Sequence, residues 1–483
     1  MISKLCILNN TLLRRVRLPP INFVISRFQS FLATSYSTSA KRPENPKFFS
    51  DPSEVKPYVL GLRYTEFTNN LYMATDSPVL PIFQVMKTDG TLHDGHTNPF
   101  ESDDNVKDLL KTMVRLNVWD NLFYNIQRQG EEALQLAAGL ALLPQDHLFC
   151  QYREMGVCFA KGCTEDDFLA QLFSTYKDEG KGRQMPISYS KRSVNLHTIT
   201  TPLSSQIPQA SGTGYALKMA GEDAVSIVFF GEGAASEGDF HAAVNFAAVR
   251  QSQTIFACRN NSYSISTPVK DQYIGDGIAI RGLALGVPSL RVDGNDLFAS
   301  YIATKYAREY CVKNSTPVVI EYMTYRVGHH STSDESSQYR GKGEFEAWLK
   351  DGVNPIKRLG LYLESKGMWS KAEEDALRKE ATSYMLKKIK EFEKLNAVDV
   401  VPGLFDDVYD KAHPQLEEQR VELKSHLEKH KDKYDMSKFK DIGKIIIPPF
   451  SIINLFSNNP ISRGIKNCVD FVDYVVISYF LFT

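Results

Sequence analysis

A carboxylate and an amide stand close to the points where two apolar runs of the chain end. Glu232 follows the run at residues 224–230 after one glycine, and Asn261 comes shortly after the run at 254–258. Continuous apolar runs rich in β-branched and aromatic residues are typical of buried parallel strands. Ligands of open α/β sheets bind where the carboxyl ends of such strands meet. Because Mg²⁺ prefers oxygen ligands and often shares phosphates, this pair predicts a magnesium site at that edge.

The glycines beside Glu232 allow the backbone to approach a phosphate without an intervening Cβ atom. Gly231-Glu232-Gly233, a spacer at 234–259 and Asn261 after Asn260 resemble the thiamine diphosphate signature, with Glu in place of its usual Asp. Two alternatives are open at this point. A nicotinamide-binding turn also joins a strand to a helix, but it requires glycine where this chain has Ser236. An ordinary glycine turn of an α/β protein is the other alternative.

A second oxygen-rich stretch, TPLSSQIPQASG, follows a predicted short strand at residues 196–201. Its hydroxyl and carbonyl groups and Gln206 are suited to surround a structural cation, because hard ions need clustered oxygens. The same Ser and Gln residues are also typical of a capped helix start. This stretch therefore predicts either a cation site or a helix N-terminus.

Two adjacent histidines, His329 and His330, lie in the polar loop GHHSTSDESSQYRG. Paired loop histidines are more often exposed than catalytic. This loop, however, directly follows a strand predicted at residues 317–325, so it reaches the same edge of the sheet as Glu232. Loops held in this way on a rigid scaffold often carry functional side chains.

The elements that must position these residues alternate between strands and amphipathic helices. Helical periodicity predicts helices at residues 106–127, 134–143, 165–176, 210–220, from 240 onwards, and at 295–310. Further short apolar runs predict strands at residues 147–150, 196–201, 289–292 and 317–325. The alternation predicts an α/β fold with a mainly parallel sheet.

The composition is that of a globular protein, with 43% hydrophobic and 23% charged residues. A net charge of −1 gives no bulk attraction to nucleic acid or to an anionic membrane, so neither is an expected partner. The seven scattered cysteines contain no CxxC pair and indicate reduced, mostly buried thiols. Residues 1–43 lack Asp and Glu but are rich in Lys, Arg, Ser and Leu, which predicts a mitochondrial transit peptide.

Seven stretches together resemble one family: QYRE, GKGRQMP, PLSSQIPQASG, GEGAASEGD, RNNSYSISTP, RVDGND and YRVGHHSTSDESSQYR. This family is the alpha subunit of the thiamine-dependent decarboxylating component of 2-oxo acid dehydrogenase complexes. Within it, RNNSYSIST and GHHSTSD resemble the branched-chain 2-oxo acid enzymes more than the similar pyruvate enzymes. The resemblance implies a thiamine diphosphate-binding fold, with helices on both faces of the sheet and a helical C-terminal part.

The resemblance also implies an activity and its partners. The activity is oxidative decarboxylation of branched-chain 2-oxo acids with transfer of the acyl group to a lipoyl group, which is oxidoreductase chemistry with a disulfide acceptor. The implied partners are a beta subunit in an α2β2 heterotetramer, a lipoyl-bearing transacylase core, and a regulatory kinase and phosphatase. The beta subunit would supply a glutamate that activates the cofactor. The implied location is the mitochondrial matrix.

The family's functional residues carry over one by one onto matching positions. Magnesium would be held by the Glu232 and Asn261 side chains and the Tyr263 carbonyl. Thiamine diphosphate would be contacted by Tyr152, Arg153, Thr201, Gly233, Ala234, Arg259 and His330. A structural potassium ion would be surrounded by Thr200, Pro202, Ser205 and Gln206. His330 would act in acyl transfer, and phosphorylation of Ser331 would switch the enzyme off.

The resemblance covers residues of about 50–440 and suggests a division of the chain. We expect a transit peptide at 1–43, an extended N-terminal arm at 44–105 and a thiamine diphosphate-binding α/β domain at 106–354. A charged helical region at 355–440 and a tail outside the family at 441–483 follow. The last apolar run of the tail, residues 475–482, is shorter than the roughly 20 residues that span a bilayer, so no membrane span is expected.

Two positions depart from the family pattern. Gly130 is followed directly by Glu131, where the family has an additional strand and loop, and Gly341 stands where a second phosphorylated serine can occur. Losing a sheet element near the cofactor would impair activity. A non-catalytic relative therefore stays open as an alternative. A pyruvate dehydrogenase alpha subunit is the other alternative, because one chain of a pocket shared by two subunits does not fix the substrate.

Overall fold

The structure is a computed structural model. It describes residues 78–437 apart from 124–129, 332, 342 and 351–352, together with residues 69, 71, 73, 74 and 439. The predicted transit peptide, most of the predicted arm before residue 78, the end of the helix predicted at 106–127 and the tail at 441–483 lie outside the described residues. Residues 78–218 and 223–483 belong to one compact unit, which is described below, and residues 1–77 with Met219–Glu222 belong to another.

The strands of the described part are β1 (His147–Phe149), β2 (Ser226–Gly231), β3 (Thr254–Asn260), β4 (Tyr263–Ser264), β5 (Thr267–Pro268), β6 (Ser289–Asp293) and β7 (Val318–Met323). The α-helices there are α1 (Asp103–Phe123), α2 (Glu132–Leu140), α3 (Met155–Ala160), α4 (Glu165–Leu172), α5 (Gln206–Ala220), α6 (Gly238–Arg250), α7 (Val269–Gln272), α8 (Ala279–Ala284), α9 (Leu297–Asn314), α10 (Glu344–Lys350), α11 (Pro355–Glu364), α12 (Lys371–Phe392), α13 (Val400–Phe405) and α14 (Pro414–Lys429). Short 3₁₀ turns lie at Arg192–Val194, Ala234–Ser236 and Ser336–Gln338.

Five strands form a parallel sheet in the order β1-β2-β3-β7-β6, which confirms the predicted parallel architecture. Gly231, the last residue of β2, pairs with Arg259 near the end of β3. Because the two strands end in register, the residues that follow them are neighbours at the carboxyl edge. The strands β4 and β5 form a separate antiparallel hairpin just beyond β3.

Helices cover both faces of the sheet, as the resemblance implies. Ile255 and Ala257 of β3 face the larger hydrophobic core, whereas Phe256 and Cys258 face the smaller one. The larger core includes apolar side chains of α1, α2, α9, α11 and α12, and the smaller core includes those of α5 and α6. The central strands β2 and β3 are therefore buried on both faces, which is why each contains an unbroken apolar run in the sequence.

The described residues before α1 run along the outer strand β6. The Phe83 N–H donates to the Arg291 carbonyl at 2.9 Å, and the Asp293 N–H donates to the Phe83 carbonyl at 2.9 Å. The Asp296 carboxylate accepts from the Val85 and Met86 N–H groups at 2.7 and 2.6 Å. This segment thus adds a single parallel bridge to the exposed edge of the sheet.

Two sequence-based assignments of elements were wrong. Residues 196–201 do not form a strand, because Leu196 makes only isolated bridges to Leu148 and Lys191. The Thr198 carbonyl instead accepts from the Gln206 side chain at 3.0 Å. The helix predicted at 165–176 ends at Leu172, and Ser174 adopts a left-handed conformation with φ of 50°. Among the described residues, no helix combines the length and apolarity that crossing a bilayer requires.

Candidate active site

Glu232 and Asn261 meet at the carboxyl edge of the sheet, where β2 and β3 end. The Asn261 N–H donates to Oε2 of Glu232 at 3.3 Å. The other carboxylate oxygen of Glu232, Oε1, is buried and has no hydrogen-bond partner among the described residues. Burial raises the pKa of Glu232. A buried carboxylate oxygen without a partner is costly unless something positive binds it, so this atom fits a cation ligand.

The other two expected metal ligands lie in the turn after β3. Oδ1 of Asn261 accepts from the Tyr263 N–H at 3.4 Å, and Nδ2 of Asn261 donates to Oε1 of Glu131 at 2.6 Å. The Tyr263 carbonyl accepts from Nη1 of Arg326 at 3.4 Å. The donor set is therefore a carboxylate, an amide oxygen and a carbonyl oxygen, which suits a hard divalent ion such as Mg²⁺.

Gly233 and Ala234 bring the turn after β2 against neighbouring segments. A Cβ atom at Gly233 would lie 2.2 Å from the Ser264 Oγ, so a side chain at this position would require the β4–β5 hairpin to move. The Ala234 carbonyl accepts from the Ser204 Oγ at 2.6 Å. The backbone of this turn is therefore fixed against two other turns, and glycine allows the close approach that a phosphate-binding turn uses.

Arg259 is held between two buried carboxylates. Its Nε forms an ion pair with Glu154, its Nη1 donates to Glu131 at 3.2 Å, and its Nη2 donates to the Gln151 side chain at 3.4 Å. Burial alone would lower the pKa of Arg259, but the two carboxylates outweigh it and raise that pKa. Burial alone would raise the pKa of Glu131, but the positive charges of Arg259 and Arg153 outweigh burial and lower the pKa of Glu131. Each of the three guanidinium nitrogens has a partner, and Nη1 and Nη2 each carry a second N–H that could donate to a phosphate oxygen.

Arg153 offers a free donor at the same edge. Its side chain is 2% exposed, and its Nη2 donates to the His330 carbonyl at 2.8 Å. Its Nη1 is buried without a hydrogen-bond partner among the described residues. Tyr152, the preceding residue, shares a 3.1 Å hydrogen bond between its hydroxyl and Nε2 of His330. The QYRE motif after β1 therefore contacts the histidine loop after β7 directly.

His330 is held as a neutral imidazole. Burial, together with the charges of Arg153 and Arg326, lowers the pKa of His330 to about 4. The His330 N–H donates to Oδ2 of Asp334 at 2.6 Å, which fixes the backbone of the loop. A neutral ring can accept or donate a proton near pH 7 without first losing one.

The loop that carries His330 and Ser331 is ordered by four polar side chains. Arg326 donates to the Tyr339 hydroxyl at 2.8 Å, and that hydroxyl donates to Oδ2 of Asp334 at 2.6 Å. Arg340 donates to the Val327 and Arg326 carbonyls at 2.9 and 2.6 Å. Ser331 is half-buried, with its Oγ 3.2 Å from the Ser333 Oγ. Ser331 therefore lies one residue from His330 and three from the fixed carboxylate of Asp334.

The second oxygen-rich stretch is both a helix start and a cluster of oxygens. Gln206 begins α5, and the Thr200 and Ser205 hydroxyl oxygens lie 2.8 Å apart. The Ser205 Oγ also donates to the Pro202 carbonyl at 2.9 Å. Thr201 is exposed and touches the Met185 Sδ at 3.8 Å. The four expected potassium ligands are adjacent, and Thr200, Pro202 and Ser205 are hydrogen-bonded to one another.

Sequence reasoning missed the residues that support the site. Glu131 and Glu154 hold Arg259, and Arg326 contacts the Tyr263 carbonyl, yet none of the three received a role from the sequence. Glu154 lies inside the QYRE motif directly after Arg153, so its position in that motif was an available signal. Glu131 is separated from Arg259 by 128 positions, and no spacing rule connects them.

Known proteins match most of the chain. The family described as Dehydrogenase E1 component matches residues 108–399. A Dictyostelium discoideum protein, 2-oxoisovalerate dehydrogenase subunit alpha, mitochondrial, is 46% identical over 393 residues, covering 79% of this chain and 88% of the relative. Proteins of the same name from Caenorhabditis elegans and Homo sapiens are each 43% identical. The first aligns over 398 residues, 80% of this chain and 91% of its own length. The second aligns over 371 residues, which are 74% of this chain and 83% of its own length.

Proposed function

Because the chain belongs to the Dehydrogenase E1 component family, we propose that it is the alpha subunit of a thiamine diphosphate-dependent branched-chain 2-oxo acid dehydrogenase of the mitochondrial matrix. The relatives named for 2-oxoisovalerate dehydrogenase favour branched-chain substrates over pyruvate. The enzyme is an oxidoreductase of the 2-oxo acid dehydrogenase type. A beta subunit is its partner, since each of these relatives is named as an alpha subunit.

One observation carries the cofactor proposal. The edge of the sheet presents two buried polar atoms of opposite charge that lack hydrogen-bond partners among the described residues, Oε1 of Glu232 and Nη1 of Arg153. A divalent cation with a diphosphate would satisfy both, the carboxylate through the metal and the guanidinium through a phosphate oxygen. Glu232, Asn261 and the Tyr263 carbonyl would hold Mg²⁺. Thiamine diphosphate would be contacted by Tyr152, Arg153, Thr201, Gly233, Ala234 and Arg259, with His330 beside it.

The cofactor would supply the electron sink for decarboxylation, and the chain's own residues would position and protect it. Arg153 would bind a diphosphate oxygen through Nη1 while Nη2 holds the His330 carbonyl in place. The neutral imidazole of His330, hydrogen-bonded at Nε2 to Tyr152, would hold or move a proton during acyl transfer. Arg259, fixed by Glu131 and Glu154, would keep positive charge behind the diphosphate without a rearrangement.

The potassium proposal rests on the oxygen cluster at the start of α5. Thr200, Pro202, Ser205 and Gln206 supply hydroxyl, carbonyl and amide oxygens over seven consecutive positions. Without an ion, Thr200, Pro202 and Ser205 satisfy one another by hydrogen bonds of 2.8 and 2.9 Å. A monovalent cation there would brace the turn whose Ser204 Oγ binds the Ala234 carbonyl.

The surroundings of the site support a covering partner. Met185, Leu203 and Ile265 lie in segments that border the turns after β2 and β3, and they are 64%, 47% and 52% exposed. Large apolar side chains at a site rim are typical of protein interfaces. A beta subunit in an α2β2 assembly would cover them and contribute the activating glutamate. The acyl group would pass to the lipoyl arm of a transacylase core.

Regulation through Ser331 is part of the proposal. A kinase would add a phosphate one residue from His330 and near Asp334, and a phosphatase would remove it. Phosphorylation adds about −1.5 to −2 charges, and beside a carboxylate it acts by repulsion. The Asp334 carboxylate already accepts from the His330 N–H and the Tyr339 hydroxyl, so its displacement would release both.

A non-catalytic relative is the second candidate, because the family's additional strand is absent before Glu131. Residues 124–129 lie outside the described residues, but Glu131 itself contacts Arg259 and Asn261. The retained set of Glu232, Asn261, Arg153 and His330 supports a catalytic subunit.

Co-expression with a candidate beta subunit tests the function. Decarboxylation by the purified assembly is measured with 3-methyl-2-oxobutanoate, pyruvate and 2-oxoglutarate, with a Glu232→Ala assembly as the inactive control. We expect the branched substrate to give the highest kcat/KM. Highest kcat/KM with pyruvate would overturn the substrate class, and an assembly that binds cofactor but turns over none of the three would favour the non-catalytic relative.

A further inference from the structure

A carboxylate with no assigned role joins the metal-site turn to the helix that follows the histidine loop. Glu344 is the first residue of α10 and is only partly exposed. The Tyr263 hydroxyl donates to its Oε1 and Oε2 at 2.9 and 3.0 Å. The Tyr325 hydroxyl donates to its Oε1 at 2.9 Å. One side chain thus connects the turn after β3, the segment after β7 and helix α10.

The same helix carries an aromatic contact to the sheet edge. The Trp348 ring, one turn after Glu344, stacks on Tyr325 with a centroid distance of 4.3 Å and an angle of 6°. The Arg340 guanidinium lies over the Tyr263 and Tyr325 rings at 5.3 and 5.1 Å. Helix α10 is therefore attached to both tyrosines through the Glu344 carboxylate and to Tyr325 also through the Trp348 indole, while Arg340, which precedes the helix, packs over both rings.

The backbone carbonyl and the side-chain hydroxyl of Tyr263 contact different partners. Its backbone carbonyl is an expected magnesium ligand and contacts Arg326, whereas its hydroxyl binds Glu344. The residue lies in the two-residue strand β4, paired with β5, and its rigid ring connects that backbone to a hydroxyl held by Glu344. A change in the position of the carbonyl is consequently transmitted to the hydroxyl and to Glu344.

We infer that Glu344 is a positioning residue that couples occupancy of the metal site at Tyr263 to the placement of helix α10, with Trp348 on that helix as a built-in reporter. The inference rests on the proposed function, because it requires Mg²⁺ and thiamine diphosphate to bind at Glu232 and Asn261. It assigns Glu344 no contact with substrate or cofactor.

The hydrogen bonds from Tyr263 and Tyr325 to Glu344 determine the expected effect of each variant. Glu344→Ala leaves two hydroxyl donors without an acceptor. Glu344→Gln keeps one side-chain oxygen that can accept from both tyrosines, so it is a partial rescue. Glu346 is an exposed glutamate on the same helix, and Glu346→Ala is the matched control. Tyr263→Phe removes the Tyr263–Glu344 hydrogen bonds from the opposite partner while keeping the carbonyl and the Tyr325–Glu344 bond.

The test uses the assembly co-expressed with a beta subunit. Mg²⁺ is titrated at fixed thiamine diphosphate, and both the Mg²⁺ midpoint from calorimetry and the tryptophan emission are recorded, with Trp348→Phe identifying the Trp348 signal. Hydrogen bonds to a charged group are lost, so Glu344→Ala should raise the Mg²⁺ midpoint about 10-fold and remove the Trp348 emission change. Glu344→Gln should fall between Glu344→Ala and wild type, and Glu346→Ala should match wild type.

Tyr263→Phe should also raise the Mg²⁺ midpoint, by less than Glu344→Ala because the Tyr325 bond remains, and Glu344→Ala should have a smaller effect in the Tyr263→Phe background than in wild type. Additive effects, or a wild-type midpoint and emission change in Glu344→Ala, would overturn the inference while leaving the proposed function intact. A wild-type assembly that shows no Mg²⁺-dependent binding of thiamine diphosphate would overturn the proposed function and this inference together.

Discussion

Arg153 and His330, 177 positions apart in the sequence, are joined by a 2.8 Å hydrogen bond from the guanidinium Nη2 to the histidine carbonyl. The same guanidinium keeps Nη1 buried and without a partner among the described residues. One arginine therefore fixes the backbone of the histidine loop while presenting a free charged donor to the edge of the sheet. Cofactor binding and loop order are expected to depend on each other through this residue.

Replacing Arg153 should weaken cofactor binding. A hydrogen bond from a charged group is worth about 1.5–3 kcal/mol, so Arg153→Ala should lower the affinity for thiamine diphosphate about 10- to 100-fold. Calorimetry of the assembly measures this affinity. Arg115→Ala is the control, because Arg115 is 39% exposed and pairs with Glu380 at 3.7 Å on the surface. Equal affinities for the Arg153 and Arg115 variants would remove Arg153 from the cofactor site.

His330 should matter for acyl transfer more than for cofactor binding. With the pKa of His330 lowered to about 4, its ring is neutral at working pH and is available for proton movement. We expect His330→Ala to reduce transfer to a lipoyl acceptor about 100-fold or more, with thiamine diphosphate affinity nearly unchanged. Tyr152→Phe, which removes only the hydroxyl bonded to Nε2, should have a smaller effect. Unchanged turnover in the His330 variant would count against its role.

Glu132 should make stability fall as the pH rises from about 4.5 to about 7. Burial raises the pKa of Glu132 from 4.5 to about 7, although Asn117 and the Gly130 N–H donate to it. Between these two pH values the unfolded chain ionises and the folded chain does not, so stability is lost as pH rises through this window and then levels off. The shift corresponds to about 3 kcal/mol at pH 8 relative to pH 4.

The measurement is unfolding of wild type and Glu132→Gln across pH 4–8. Subtracting the unfolding free energy of the variant from that of wild type at each pH removes the contributions of all other groups, including His330. Relative to the variant, wild type should lose stability between pH 4.5 and 7. A difference that stays flat with pH would show that Glu132 titrates normally in the folded state.

Phosphorylation of Ser331 should disorder the loop. The added phosphate would face Asp334 and Glu335, and repulsion would oppose the hydrogen bonds that fix His330. Kinase-treated assembly is expected to lose overall activity and to be cut faster by trypsin between Arg326 and Arg340. Ser337→Ala, in the same loop, should stay sensitive to the kinase. Inactivation of Ser331→Ala as readily as of wild type would place the switch at another residue.

The two strands at the site, β2 and β3, were predictable, because each contains an unbroken apolar run that is followed by polar residues. The adjacency of Glu232 and Asn261 was inferred on that basis, and the pairing of β2 with β3 confirms it. Residues 196–201 were wrongly predicted as a strand; they are rich in β-branched Ile and Thr, which are enriched in strands. Instead of pairing with a strand, the Thr198 carbonyl accepts a hydrogen bond from the Gln206 side chain.

The ion pairs around the site were not predictable from spacing. Arg259 meets Glu131 and Glu154 across 128 and 105 positions, and only the folded sheet brings them together. The link from Tyr263 to Glu344 likewise spans 81 positions and depends on where α10 packs. Motifs identify residues that contact ligands, whereas the residues that position those side chains follow from tertiary packing.

The most direct test of the account is calorimetry of thiamine diphosphate binding to the assembly, with and without Mg²⁺, for wild type and Glu232→Ala. Glu237→Ala is the control, because Glu237 is an exposed glutamate in the same turn. Loss of residues that merely support a metal ligand costs about 10- to 100-fold in affinity, so loss of the ligand itself should cost at least that. We expect Mg²⁺-dependent binding in wild type and Glu237→Ala and none in Glu232→Ala. Wild-type affinity in Glu232→Ala would contradict the assignment of this edge of the sheet as the cofactor site.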